Sequence, residues 1–164
     1  MTFQFNAELI FEIGVQIERN GKTFYLEAAK KASDEASKTL FTELADWESA
    51  HIALFQQLKA ELPDMTGEDN LFDPENELVS YLQAAADSHV FENSADIAYL
   101  VAQCHSSADV IDLAITFEKD SVVYYTTMKK VVPEYLGQAR IDRLIDEELK
   151  HIAILNTKKK LLTA

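Results

Sequence analysis

One polar pattern occurs twice in this chain, at an offset of 100 residues. Glu18 is followed thirty residues later by Glu48-Ser-Ala-His51, and Glu118 is followed thirty residues later by Glu148-Leu-Lys-His151. Four carboxylates and two imidazoles thus recur at matching positions in two stretches of helical character. Two helices giving one Glu each, and two giving a Glu-x-x-His each, supply the ligands of a two-metal site in the core of a four-helix bundle.

The repeat extends beyond the six polar residues. Ile17-Glu18-Arg19-Asn20 matches Phe117-Glu118-Lys119-Asp120, and Phe24-Tyr25 matches Tyr124-Tyr125. Leu44 and Asp46 match Leu144 and Asp146, and His51-Ile52-Ala53 returns as His151-Ile152-Ala153. The chain reads as two copies of one helical pair.

Periodicity places the helices. Leu9, Ile10, Ile13, Ile17, Phe24 and Ala28 form one apolar stripe, predicting a helix from Asn6, its N-cap, to Lys31. A turn at Ser33-Asp34-Glu35 leads to a second helix, Ala36 to Glu61, with Leu40, Phe41, Leu44, Trp47, Leu54, Phe55 and Leu58 as its apolar side, Trp47 in core packing. Residues 62–76 are acidic and rich in Pro, Gly and Asn, which marks a loop. Two short helices are expected over Glu75–His89 and Ser94–His105. A third long helix, capped by Ser107, covers Ala108–Val131, and a fourth follows Pro133 from Glu134 to Leu162.

With four glycines and three prolines in 164 residues, an all-α chain is indicated. The expectation is one domain over 1–164: a ferritin-like four-helix bundle of two helical hairpins. A long crossover of short helices, about 62–107, joins the hairpins and leaves the second and third long helices parallel.

The spacing also predicts convergence. Residues 18 and 48 are equidistant from residue 33 in the first turn, as 118 and 148 are from Pro133 in the second. Each pair therefore faces across its hairpin about fifteen residues from the turn, roughly 22 Å along the axis at ~1.5 Å per residue. With the turns at opposite ends, both levels fall near mid-bundle. Glu48 and His51, and likewise Glu148 and His151, share a helix face one turn apart. Each metal then has one terminal carboxylate and one imidazole, with Glu48 and Glu148 free to bridge. Hard carboxylates with two imidazoles suit iron, with manganese or a mixed pair as alternatives. Buried without metal, such carboxylates would cost several kcal/mol each. Tyr25 and Tyr125 are candidates to hydrogen-bond a ligand or carry electrons, beside the plainer role of core tyrosines.

Charge and cysteine content exclude other classes. The formal charge of −13 argues against nucleic-acid binding and against docking on anionic membranes. The single cysteine, Cys104, forms no disulfide framework and is expected to be a small buried residue. No run of eighteen apolar residues and no signal-peptide pattern is visible, so the expected location is cytoplasmic. His89 and His105 have no partner motif and are expected at the surface.

Glu18 with Tyr25, Glu48-x-x-His51, Glu118-Lys-Asp-Ser with Tyr125, and Glu148-x-x-His151 together resemble the ferritin-like di-iron domain of rubrerythrins. The resemblance covers nearly the whole chain and is weakest over 62–107. It implies that Glu18, Glu48, His51, Glu118, Glu148 and His151 ligate two iron ions. It also implies reduction of hydrogen peroxide to water, with peroxide or dioxygen as the oxidant. Rubrerythrins carry a further iron site of four cysteines, and this sequence has one cysteine, so reducing electrons would come from an external donor such as a rubredoxin-like protein. Their peroxidases also have an extra Glu where Ser121 stands here, so the likeness is to the simpler six-ligand form. A homodimer is expected. Two alternatives stay open at the level of the residues: iron oxidation for storage or detoxification, and a non-catalytic interaction bundle stapled by its metals.

Overall fold

A computed structural model describes residues 7–62, 77, 80–82, 84, 94–132 and 134–163. Its elements are α1 (Ala7–Lys31), α2 (Glu35–Ala60), α3 (Ser94–Gln103), α4 (Ser107–Val131), a 3-10 turn (Glu134–Leu136) and α5 (Gln138–Thr163). Residues 77, 80–82 and 84 are also helical. The proposed cap Asn6, the loop 63–76 and His89 lie outside the described residues.

Local chemistry sets the helix ends. The Asp34 carboxylate accepts from the backbone N–H of Ser37 at 2.8 Å and starts α2. Ser106, not Ser107, caps α4. Its hydroxyl accepts from Asp109 N–H at 3.1 Å, and the Asp109 carboxylate accepts from Ser106 N–H at 2.8 Å. That reciprocal pair satisfies two otherwise unpaired donors and moves the start back by one residue. The fourth long helix begins at Gln138 rather than Glu134. Gly137 adopts φ +105°, a left-handed conformation that favours glycine, and breaks the chain after the 3-10 turn. A Cβ there would press on Leu58 Cδ2.

Contacts between helices fix their directions. On α1 and α2, Phe11 meets Phe55 and Tyr25 meets Phe41, so the two are antiparallel. Asp112 with Lys159, and Lys129 with Asp142, give the same result for α4 and α5. Across the hairpins, Tyr25 bonds to Glu118 and Tyr125 to Glu18, which makes α1 and α4 antiparallel. Trp47 against His151 and Glu61 against Arg140 do so for α2 and α5. Since α2 and α4 both oppose α1, they run parallel to each other. A short loop cannot make that link, which accounts for the crossover. Lys31 Nζ anchors it, donating to the carbonyls of Val101, Ala102 and Cys104 at the end of α3, at 2.8, 3.0 and 2.5 Å.

Two apolar clusters fill the bundle. One includes Ile10, Phe11, Phe55, Leu58, Met128 and Leu144; the other includes Phe24, Phe41, Leu44, Ile111 and Leu155. The repeat makes them counterparts at opposite ends. Two residues predicted to face inward do not. Leu9 is 43% exposed, because Ile10, Phe11, Gly14 and Val15 take the inward stripe. Trp47 is 41% exposed, its position lying at the edge of the stripe set by Leu44, Glu48 and His51. Cys104 is only partly buried and His105 is exposed.

Candidate metal centre

A polar layer separates the two apolar clusters. Among the described residues, the buried polar side chains are Glu18, Glu48, His51, Glu118, Glu148, His151 and Ser37. Ser37 belongs to the start of α2; the other six are the residues of the sequence repeat. No Lys or Arg is buried among the described residues, so apart from the two imidazoles no side-chain cation faces the four carboxylates.

The six converge as two overlapping groups. Glu18, Glu48, His51 and Glu148 each offer one ligand atom, all within 4.8 Å of one another. Glu48, Glu118, Glu148 and His151 do the same. Glu48 and Glu148 belong to both groups. Glu148 Oε1 lies 3.0 Å from His51 Nδ1 and its Oε2 3.0 Å from His151 Nδ1. Glu18 approaches His51 Nδ1 to 3.3 Å, and Glu118 approaches His151 Nδ1 to 3.4 Å. Yet both Glu148 oxygens and His151 Nδ1 lack an aligned hydrogen bond. They are buried and close together without pairing, which suits ligand atoms. The donor set fits a pair of hard divalent ions.

The electrostatics reflect four carboxylates in one dry layer. Burial, then the charge of Glu18, pushes Glu48 well above the usual carboxylate range. Burial and Glu148 raise Glu118 to about 8. For Glu148 burial acts the same way, but His151 and His51 outweigh it and hold the group below the usual range. Burial disfavours charge on His51, yet Glu148, Glu18 and Glu48 together raise it. His151 is raised to about 9 by Glu118 and Glu148 against burial. Protons thus bind where cations would, and metal binding must displace them.

The tyrosines join the site across the hairpins. Tyr25 donates to Glu118 Oε1 on α4, and Tyr125 donates to Glu18 Oε1 on α1. Burial, then the facing carboxylate, keeps each phenol protonated well above its ordinary range, so each remains a donor. Proximity in sequence pairs Tyr25 with Glu18, whereas the fold pairs it with Glu118.

Three further contributors were not foreseen in the sequence. Glu147 accepts from His51 Nε2 at 2.9 Å. Trp47 stacks on His151, with ring centroids 4.9 Å apart and planes 11° apart. Gly21 lies against Glu48: a Cβ there would come within 3.1–3.3 Å of its carboxylate. Positions 47 and 147 each immediately precede a Glu-x-x-His, and that adjacency was the available signal. A small pocket between α1 and α4, lined by Gly21, Phe24, Phe117, Ser121 and Tyr124 among others, reaches Glu48 and Glu118.

No family model and no curated protein sequence matches the chain. A solved structure from Thermotoga maritima, provisionally described as a ferritin-like diiron-carboxylate protein, is similar over 98% of this chain and 98% of that one. Its TM-score is 0.66 at 24% sequence identity. With the helix directions above, the class is defined: an all-α, ferritin-like four-helix bundle. Among the described residues no helix is long and apolar enough to cross a membrane.

Proposed function

We propose that this chain is a non-haem di-iron oxidoreductase of rubrerythrin-like type that reduces peroxide or dioxygen. The observation that carries the reading is the sharing of Glu48 and Glu148 between two four-residue ligand groups. Two separate metal sites would not need common carboxylates; a bridged pair does. The description of the Thermotoga maritima structure as a diiron-carboxylate protein is in keeping with this.

Each side chain then has a role. Glu18 with His51 and Glu118 with His151 would each hold one ion, and Glu48 and Glu148, common to both groups, would be shared between them. Tyr25 and Tyr125 hold the terminal carboxylates in place, Tyr25 donating to Glu118 Oε1 and Tyr125 to Glu18 Oε1, the oxygen opposite the one that approaches His51. Bound there, iron supplies electrons and Lewis acidity toward the oxidant's oxygens. The pocket at Gly21 and Ser121 is the approach. Its space of about 40 Å³ suits a molecule of a few heavy atoms, since about 10–15 Å³ of that measure holds one water. Phe24, Phe117 and Ile17 on its walls limit water around the reacting groups. These 164 residues hold one cysteine, so a four-cysteine iron site is not among them and reducing electrons reach the bundle from outside them.

Stopped-flow mixing of the anaerobic ferrous-loaded protein with peroxide tests the reading. Oxidation faster than that of free ferrous ion is expected, with reduction by an added donor restoring the starting state. Oxidation no faster than for free ferrous ion rejects it. A large shell-forming oligomer that accumulates many irons per chain would point to storage instead.

A further inference from the structure

The repeat makes positions 47 and 147 equivalent, and the two residues face equivalent partners. Glu147 on α5 reaches His51 on α2, and Trp47 on α2 reaches His151 on α5. Their chemistry differs. His51 Nε2 lies 2.9 Å from the Glu147 carboxylate, which can only accept, so Nε2 carries a proton; Nδ1, 3.0 and 3.3 Å from Glu148 and Glu18, is the nitrogen left to ligate. That hydrogen bond fixes the tautomer and ring angle and raises the electron-donating power of Nδ1. The face of the Trp47 indole offers no lone pair. It orients the His151 ring by contact and supplies no acceptor to its Nε2.

We propose that Glu147 is a positioning residue that makes the two metal positions unequal. The ion held by Glu18 and His51 is bound more tightly than the ion held by Glu118 and His151. This rests on the two-metal reading above. In a site whose six nearest ligands are related by the repeat, positions 47 and 147 break the symmetry one layer out. Loading is therefore ordered, with the Glu18–His51 side first.

Anaerobic calorimetric titration of the metal-free full chain with ferrous ion tests this, with cobalt(II) titrations followed by visible absorption alongside. Wild type is expected to show two resolved steps. Glu147→Ala should weaken the tighter step by about 10–100-fold, the usual effect of losing a carboxylate behind a ligating histidine. It should leave the weaker step unchanged. Glu147→Gln, which keeps an acceptor oxygen, should fall between the two. The Glu147 side chain is 52% exposed, so these variants do not open the core. Trp47→Phe should leave the tighter step as it is. Two steps untouched by Glu147→Ala, or both weakened equally, overturn the proposal while leaving the two-metal reading intact. A wild-type chain that binds no divalent metal overturns that reading and the proposal with it.

Discussion

Glu148 stands midway between two imidazoles, its Oε1 3.0 Å from His51 Nδ1 and its Oε2 3.0 Å from His151 Nδ1. One carboxylate thus belongs equally to both hairpins' histidines. Removing it should damage both metal positions at once. Glu148→Ala is expected to weaken both binding steps together, by at least the ~10–100-fold that loss of an outer partner costs one of them. Calorimetric titration checks this, and a variant that loses one step while keeping the other at wild-type affinity contradicts it.

Tyr25 and Tyr125 cross-link the hairpins by donating to Glu118 and Glu18. Replacing either by Phe leaves a buried carboxylate short of a donor. Each change should cost about 1–3 kcal/mol in urea denaturation of the metal-free protein, with an unchanged denaturant slope. The paired substitution should cost more than either alone. Loss of less than about 0.5 kcal/mol, the lower end for a typical hydrogen bond, would mean that the carboxylates find other partners.

The metal-free protein should lose stability as pH rises. Glu118 is raised from an ordinary 4.5 to about 8, and His151 from 6.5 to about 9. In each case the folded chain holds a proton that the unfolded chain has released. Their contributions are therefore full below the ordinary values and vanish as pH passes the folded ones. Glu148 acts oppositely: being lowered, it contributes above its ordinary value and loses its effect in acid. The melting temperature in chelator should fall between about pH 6 and pH 9, while metal affinity rises as binding displaces fewer protons. A melting temperature that climbs over that interval runs against the account.

Two glycines separate packing from ligation. A Cβ on Gly21 would sit 3.1 Å from Glu48 Cδ, while one on Gly14 would sit 2.9 Å from the Phe55 ring. Gly14→Ala should therefore cost about 1–3 kcal/mol of stability by overpacking, with metal affinity preserved. Gly21→Ala should weaken metal binding more than it lowers stability. Thermal melts and metal titration of both variants give the comparison, and the reverse ordering contradicts it.

How far the sequence revealed this arrangement depends on the kind of information involved. Helix type and phase were legible because Ile10, Ile17 and Phe24 on α1, and Leu44, Phe55 and Leu58 on α2, recur at helical spacing. The convergence of the six polar residues followed from their distance to the turns, a property of the chain alone. Helix ends were legible to within a few residues, since the choice between Ser106 and Ser107 depends on where Asp109 points, and Gly137 acts through a backbone angle. Contacts between hairpins were the least visible. Tyr25 shares a helix with Glu18, and only the packing of α1 on α4 gives it to Glu118. Trp47 looked like core by hydrophobicity, but its angle on α2 leaves it half open and stacked on His151. Glu147 belongs to no motif of its own, and its role depends on the ring it meets on α2.

The central claim is that these six side chains hold two metal ions with shared carboxylates. The most direct measurement is metal content per chain after anaerobic loading with ferrous ion and removal of unbound metal. The account predicts two irons per chain, falling to none when Glu48 and Glu148 are both replaced by Ala. A wild-type chain that retains no iron, or a double variant that still retains two, would contradict it.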